Sequence, residues 1–353
     1  MPGCPGLANL RASIWAFVVS PAQQAYQNCP CGSGKKARFC CLTSSRWAKQ
    51  PAKICISEAS QTSNTKCYAN CLESCSVKLS REHIFSRSIQ KQLGGVNEVD
   101  VFGLPFQQQH PQTFSISSLT SKVLCSNHNA ALSPLDTEAG RLFEKSLAIV
   151  QDFDQADKAS LFAGEDIELW MLKTLLGLIK AKQISLISPT GISRQEYELK
   201  REWVEILFQI RPWPIGWGLY VTSGVHPSNG HLLICPNIED NVVTGCHFRV
   251  CGKQFFLSVG AQKIHDLMFD FPRISKASSM AFRPMYLNHH RENECRQIIL
   301  TWREESIARS RAKSLSVDCY WLPESPELPS QDLSPFFKLL NNSSITDEGS
   351  KRI

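Results

Sequence analysis

Cys67-x3-Cys71-x3-Cys75, then Ser80-Arg81-Glu82-His83-Ile84, then Leu124-Cys125-Ser126-Asn127-His128-Asn129, then Leu132-Ser133-Pro134-Leu135-Asp136: these four pieces decide how the chain is read. Two pairs of soft ligands about fifty residues apart can close one tetrahedral zinc site. Cys125 and His128 have the spacing of a knuckle entering a helix. On the N-terminal side any two of the three cysteines can serve, with Cys75 taken as one and Cys67 or Cys71 as its partner. Between the pairs an acidic residue adjoins a histidine. A neutral His accepts a proton from water near pH 7. A carboxylate beside it can hold a divalent cation at a phosphate. Asn129, at the opening of the following helix, completes such a metal shell or simply caps the helix.

This pattern resembles the HNH, or ββα-metal, endonucleases in their zinc-stapled branch, over about residues 66–145. The resemblance implies that His83 is the general base that activates water. Glu82 and Asn129 then ligate or orient a catalytic Mg²⁺ or Mn²⁺, and Asp136 orients the site or reaches the same metal. The staple is Cys75, Cys125, His128 and one of Cys67 or Cys71. The implied reaction is phosphodiester hydrolysis, with DNA placed ahead of RNA as substrate. Phe85 and Ser86 stand where the family often carries a proline, and Ser117 to Val123 contains no counterpart of the family's middle asparagine. A second reading therefore stays open, a catalytically inactive zinc-binding adaptor that docks on protein or nucleic acid.

Upstream lies a denser cluster, Cys29-Pro30-Cys31-Gly32-Ser33-Gly34-Lys35-Lys36-Ala37-Arg38-Phe39-Cys40-Cys41. Four thiolates complete a closed structural zinc site, and glycines let the backbone turn sharply between the ligand pairs. So short a unit has almost no core, so metal binding supplies its folding free energy. A phosphate-cradling loop is discounted, because no strand precedes the Gly-Ser-Gly-Lys-Lys run and no Lys-Ser/Thr opens a helix after it. The run resembles the SEC-C zinc motif, an interaction module appended to many bacterial proteins. That resemblance implies one zinc on Cys29, Cys31, Cys40 and Cys41 and a protein partner for the module.

Charge points the same way. Residues 1–57 hold seven of the chain's Lys and Arg and no acidic residue, whereas the remaining 296 hold 31 basic and 32 acidic. A basic module on a neutral body suits a polyanion, and Lys35, Lys36 and Arg38 are its candidate nucleic-acid contacts. The chain has 353 residues, 42% hydrophobic and 20% charged, with net charge +6. That apolar fraction excludes wholesale disorder. No apolar run approaches the ~18 residues that span a bilayer, so no membrane partner is expected and the expected location is cytoplasmic. The 15 cysteines, many in tight spacings, point to metal rather than disulfides.

The expected fold class is α+β: a small zinc knuckle, a ββα-metal HNH-like domain, and a C-terminal α+β body with buried helices and an antiparallel sheet. The expected divisions are an N-terminal extension (1–25), the zinc module (26–45), a linker (46–65), the HNH-like domain (66–150), the body (151–325) and a disordered tail (326–353). In the body, Glu165 to Lys182 carries apolar stripes on both sides and predicts a buried helix. Ser193 with Glu196 predicts a capping box opening a helix to Phe208. Trp217 to Ser223, Gly230 to Cys235, Thr244 to Val250 and Gln254 to Val259 predict an antiparallel meander, and Glu292 to Arg311 a late helix or strand–helix segment. The Trp-rich run Trp203 to Tyr220 is read as core, as are Cys246 and Cys251. The His289-His290 pair is assigned no metal.

Overall fold

Strand and helix signals resolve into a mixed α+β fold in the computed structural model, which describes residues 24–44, 46–57, 62–94, 97–102, 112–188, 191–194, 196–222, 232–260, 280–292, 294–303 and 337–340. The helices among them are α1 (Arg87–Gly94), α2 (Ser126–Gln151), α3 (Gly164–Lys180) and α4 (Arg201–Leu207). The strands are β1 (Leu79–His83), β2 (Glu98–Phe102), β3 (Gln112–Ser115), β4 (Thr120–Cys125), β5 (Ala159–Ala163), β6 (Ser185–Ser188), β7 (Gly191–Arg194) and β8 (Gly218–Thr222). They continue as β9 (Leu232–Glu239), β10 (Val242–Val250), β11 (Lys253–Ser258), β12 (Met280–Phe282), β13 (Tyr286–Arg291), β14 (Glu294–Thr301) and β15 (Phe337–Leu340).

The β1–β4 pair is a two-stranded antiparallel ribbon, registered Leu79 to Cys125 and His83 to Thr120. α2 leaves directly from its end, with Cys125 as the N-cap residue. Pro134 lies inside α2 and cannot donate to the Ala130 carbonyl. The Ser133 hydroxyl donates to that carbonyl instead, at 2.9 Å. An eight-stranded sheet runs β12-β8-β11-β10-β9-β15-β2-β3, and a three-stranded one β13-β14-β5. The meander expected from residue 217 onward forms the run β9-β10-β11, with β8 joining the far side of β11. α3 is buried on every side, as its double stripe predicts. One apolar cluster gathers residues from Cys67 to Trp302, so both sides of the boundary read at 150/151 share it. Trp203 is fully buried there, Trp213 and Trp217 pack against it, and Cys246 and Cys251 are buried within it.

Two expectations are corrected. Ser193 does not cap a helix: it lies in β7 of the β6–β7 hairpin, and α4 starts only after Lys200, which offers no side-chain cap. Strand pairing and the packing of Tyr197 and Leu199 against the core override the local Ser-to-Glu pattern. Residues 46–57, inside the stretch read as a linker, form an extended strap laid on the body. Lys49 N–H donates to Thr301 at 3.1 Å, Ala52 N–H to Asp166 at 2.9 Å, and Ile54 and Ile56 pack on the core while Cys55 between them faces out. Of the two forms expected for the late segment, its described part has the strand that opens the strand–helix form, to Thr301, pairing in parallel with β5; its continuation lies outside the described residues. So do residues 1–23 and most of the expected tail, although Phe337–Leu340 pairs with both β9 and β2.

The N-terminal module sits on the three-stranded sheet. Cys29, Ala37, Cys41 and Leu42 pack with Leu161 of β5 and Ile299 of β14. Leu161 N–H, on the sheet's edge strand, donates to the Pro30 carbonyl at 3.0 Å. The module thereby covers an edge that would otherwise offer unpaired backbone groups.

Candidate metal centres and the His83 groove

Cys67, Cys75, Cys125 and His128 come together with all ligand atoms within 4.8 Å of one another, and all four residues are buried. His128 Nδ1 lies 3.4 Å from Cys67 Sγ, 3.7 Å from Cys75 Sγ and 3.2 Å from Cys125 Sγ. Zinc–sulfur and zinc–nitrogen bonds of about 2.3 and 2.0 Å at tetrahedral angles give ligand separations of about 3.6 Å. The group is therefore the size of a zinc shell and could hold that ion. The Ser74 hydroxyl meets His128 Nε2 at 3.0 Å, which leaves Nδ1 free to face a metal. Burial raises the Cys125 thiol pKa, but backbone N–H groups of His128 and Ser76 outweigh it and bring the thiol below its ordinary value. Of the two cysteines left open by the sequence, Cys67 joins the group. Cys71 lies on a short turn, Asn70–Leu72, whose charged neighbours are Arg201 and Glu205 of α4.

Cys29, Cys31, Cys40 and Cys41 form the second such group. Cys40 Sγ is 3.5 Å from Cys31 Sγ and 3.6 Å from Cys41 Sγ. Gly32 and Gly34 both adopt positive φ, at 77° and 73°, so the turn between the ligand pairs needs glycine. Burial acts against the Cys31 thiolate, yet hydrogen bonds from Ser33, Cys29 and Cys40 bring its pKa to about 6. Burial pushes Cys29 up to about 11 and Cys41 higher still. Four sulfurs this close do not ionise together without a cation, and a divalent metal supplies that charge. Lys35, Lys36 and Arg38 surround the group at the surface. Lys36 donates to Asn28 at 3.1 Å, and Arg38 stacks on Tyr26 and Phe39.

The third constellation lies where β1 meets α2. Strand alternation turns Glu82 inward and leaves Arg81 exposed, and His83 ends the strand half-buried. Asn129 is not the helix cap; its amide donates to Ser80 Oγ at 2.9 Å and also bonds Glu82. Lys173, reaching in from α3, pairs with Glu82 at 2.5 Å and with Asp136. The Ser86 hydroxyl donates to Asp136 at 2.5 Å and itself accepts the Trp170 indole N–H at 2.8 Å. Burial disfavours the Lys173 charge, but Asp136 and Glu82 outweigh it and raise the pKa, so the ammonium persists. Burial raises Glu82 against the pull of Lys173. Burial, with Arg87 and Lys173 adding to it and Asp136 opposing, lowers His83 below its ordinary value. His83 is thus neutral at pH 7. An open groove of about 590 Å³ exposes this edge, lined by Arg81, His83, Arg87, Asn129, Asp136 and Arg141 among others.

A catalytic Mg²⁺ or Mn²⁺ would have to be held by Glu82, Asn129 and Asp136. Glu82 and Asp136 share one ammonium, and the groups that reach their oxygens are donors: Lys173, Ser86 and Asn129. A divalent ion needs acceptors and would meet Lys173 as a like charge. As folded, the set does not fit that ion.

Lys173, Ser86, Trp170, Ser74 and the flanking Arg81 and Arg87 were not assigned roles from sequence. One signal pointed to Lys173: a lysine within a helix that is apolar on both sides must find buried carboxylates. Nothing local marks Ser74 or Ser86. Among the described residues no helix is long and apolar enough to cross a membrane. No protein-family model, curated protein or solved structure matches the chain.

Proposed function

We propose that the His83 groove hydrolyses phosphodiester bonds of nucleic acid, with DNA ahead of RNA, as an HNH-type endonuclease. The cluster at Cys29–Cys41 is its appended zinc module of the SEC-C kind, with Lys35, Lys36 and Arg38 as contacts to the polyanion. One observation carries the reading: a β1–β4 ribbon running straight into α2 presents a neutral, half-buried His83 in an open groove between two exposed arginines. Neither Arg81 nor Arg87 makes an ion pair among the described residues.

His83 takes a proton from water, and the oxygen so activated attacks phosphorus. The bond from phosphorus to the leaving sugar oxygen breaks, and that oxygen takes a proton from solvent as His83 returns its own. Arg81 and Arg87 meet the phosphate charge as it grows. Glu82, Asn129 and Asp136 hold the strand end and helix start in register beneath the groove.

Plasmid cleavage by the protein and by His83→Ala, with zinc measured in both, tests this. Cutting lost in the variant while two zincs stay bound supports the reading. Because burial and Arg87 hold His83 low, the acid limb of the cleavage rate lies below pH 6.5: activity falls only as pH drops through that depressed value. An acid limb above 6.5 removes His83 as the base. A second reading, the inactive adaptor, is favoured by the tie that Lys173 makes to both carboxylates. It gains if neither DNA nor RNA is cut while both zincs are held.

A further inference from the structure

The carboxylates of Glu82 and Asp136 sit at the floor of the groove, and their surroundings are built for anions already satisfied. Lys173 is buried, and its Nζ touches Glu82 Oε1 at 2.5 Å as well as Asp136 Oδ2. Ser86 accepts the Trp170 indole N–H on its oxygen and donates its hydroxyl proton to Asp136. Asn129 presents its amide N–H groups to Ser80 and Glu82. The Tyr68 hydroxyl, buried and without a hydrogen-bond partner among the described residues, lies within the field of both carboxylates but bonds neither. A divalent cation needs oxygen acceptors aimed at one point. Here donors converge on the acceptors instead, and the point between them is filled by an ammonium.

We propose that Lys173 is the resident cation of the Glu82–Asp136 pair, standing where a divalent ion would otherwise bind, so that the groove takes up Mn²⁺ or Mg²⁺ only once that ammonium is removed. Lys173 is buried beneath the groove floor and acts as a positioning residue rather than a catalytic one. The inference deepens the proposed function and rests on it only for the bearing of such an ion on cleavage. The binding itself is independent of whether the groove cuts anything.

The physical consequence is sharp. Replacing Lys173 by a neutral side chain of similar length leaves two close carboxylates, Glu82 buried and Asp136 half-buried, without their counter-charge, and that arrangement is destabilising until a cation arrives. Binding of an ion to the folded state then raises stability by mass action.

Mn²⁺ binding by electron paramagnetic resonance, on the zinc-loaded full chain, tests this together with melting temperature and zinc content. Wild type is expected to show no Mn²⁺ site that depends on Asp136, and no rise in melting temperature with Mn²⁺. Lys173→Met is expected to gain one Mn²⁺ site, at least about tenfold tighter than any in wild type, and to be stabilised by the ion. Adding Asp136→Asn to that variant removes the site again, with both zincs retained. Lys173→Gln replaces the methionine variant if that one folds poorly, and folding that returns only with Mn²⁺ is itself support.

Three results overturn the proposal: wild type binding Mn²⁺ in a way that Asp136→Asn abolishes; folded lysine variants with two zincs that gain no site; or lysine variants that stay unfolded with Mn²⁺ as without it, since the ion then cannot replace the ammonium. Loss of the endonuclease reading shows up elsewhere, as absent cleavage by wild type, and leaves these results unaffected.

Discussion

Among the described residues two four-ligand groups of nearly the same chemistry stand in opposite structural settings. Cys29, Cys31, Cys40 and Cys41 lie within one short run, with Cys31 partly exposed and Cys40 exposed. That group rests on the sheet edge through a small separate cluster that includes Leu161 and Ile299. Cys67, Cys75, Cys125 and His128 come from a loop and from a strand–helix junction far along the chain, and all are buried. Three of them belong to the main core, and the His128 ring packs edge-on against Phe208 at 5.1 Å. The first group is attached to a fold, whereas the second is a joint within it. A metal at the first orders a local turn; a metal at the second ties the 67–75 loop to the start of α2 and so holds the ribbon that carries His83.

The largest expected effect follows from that joint. Cys125→Ser or His128→Ala removes one ligand and leaves the remaining set too small to close a tetrahedral site. Structural zinc contributes on the order of 10 kcal/mol or more in small zinc modules, and a domain's whole stability is about 5–15 kcal/mol. Either variant is expected to lose its cooperative melting transition by circular dichroism. A variant that drops to one zinc yet melts within about 2 °C of wild type would show that the second group is as peripheral as the first.

Cys41→Ser sharpens the contrast from the other side. It also lowers the zinc content to one, but the cost is confined to the contacts with Leu161 and Ile299, about 1–3 kcal/mol of apolar burial. Hydrogen exchange is expected to rise at β5 and to stay unchanged in α3. Nucleic-acid binding should weaken and lose part of its salt dependence, since Lys35, Lys36 and Arg38 are held by that turn. Global unfolding of Cys41→Ser would erase the distinction between attachment and joint.

What the sequence made legible follows the same division. The first group is wholly local, so spacing alone places all four ligands. The second is half local: Cys125, His128 and the entry into α2 are set by one strand–helix junction. Cys67, Cys71 and Cys75 are equally spaced, however, and nothing in that spacing chooses between them. The choice is made by the backbone. Glu73 adopts φ of 57°, which ends the short turn at Asn70–Leu72 and leaves Cys71 beside α4 while Cys67 and Cys75 face His128. The buried character of α3 and the β9–β10–β11 meander are written in periodicity. The parallel pairing of β14 with β5, the insertion of β15 beside β2 and the reach of Lys173 to Glu82 join residues far apart in sequence, where local pattern carries no information. The Ser193 capping pattern shows the converse, a local signal overridden by pairing and packing.

The smallest effect probes the comparison at single hydroxyls. Ser74 Oγ lies 3.0 Å from His128 Nε2, on the far side of a ligand ring, and Ser33 Oγ lies 3.1 Å from Cys40 Sγ at the surface. Each is one hydrogen bond to one ligand. At the joint, Ser74 fixes which imidazole nitrogen faces the metal, on a ring that is fully buried from solvent. Loss of such a partner typically costs 10- to 100-fold in metal affinity. At the module, Ser33 and Cys40 are both exposed, so solvent replaces the bond at once, and net hydrogen-bond energies there are at the low end of about 0.5–1.5 kcal/mol. Competition with a chromophoric chelator is therefore expected to show Ser74→Ala losing about tenfold or more at the second site. Ser33→Ala should lose no more than about threefold at the first. Equal losses would mean that burial does not set the difference between the two sites; a larger loss for Ser33→Ala would mean that the exposed module depends on its hydroxyl to keep four sulfurs ionised, and the contrast would then lie in charge rather than in solvent access.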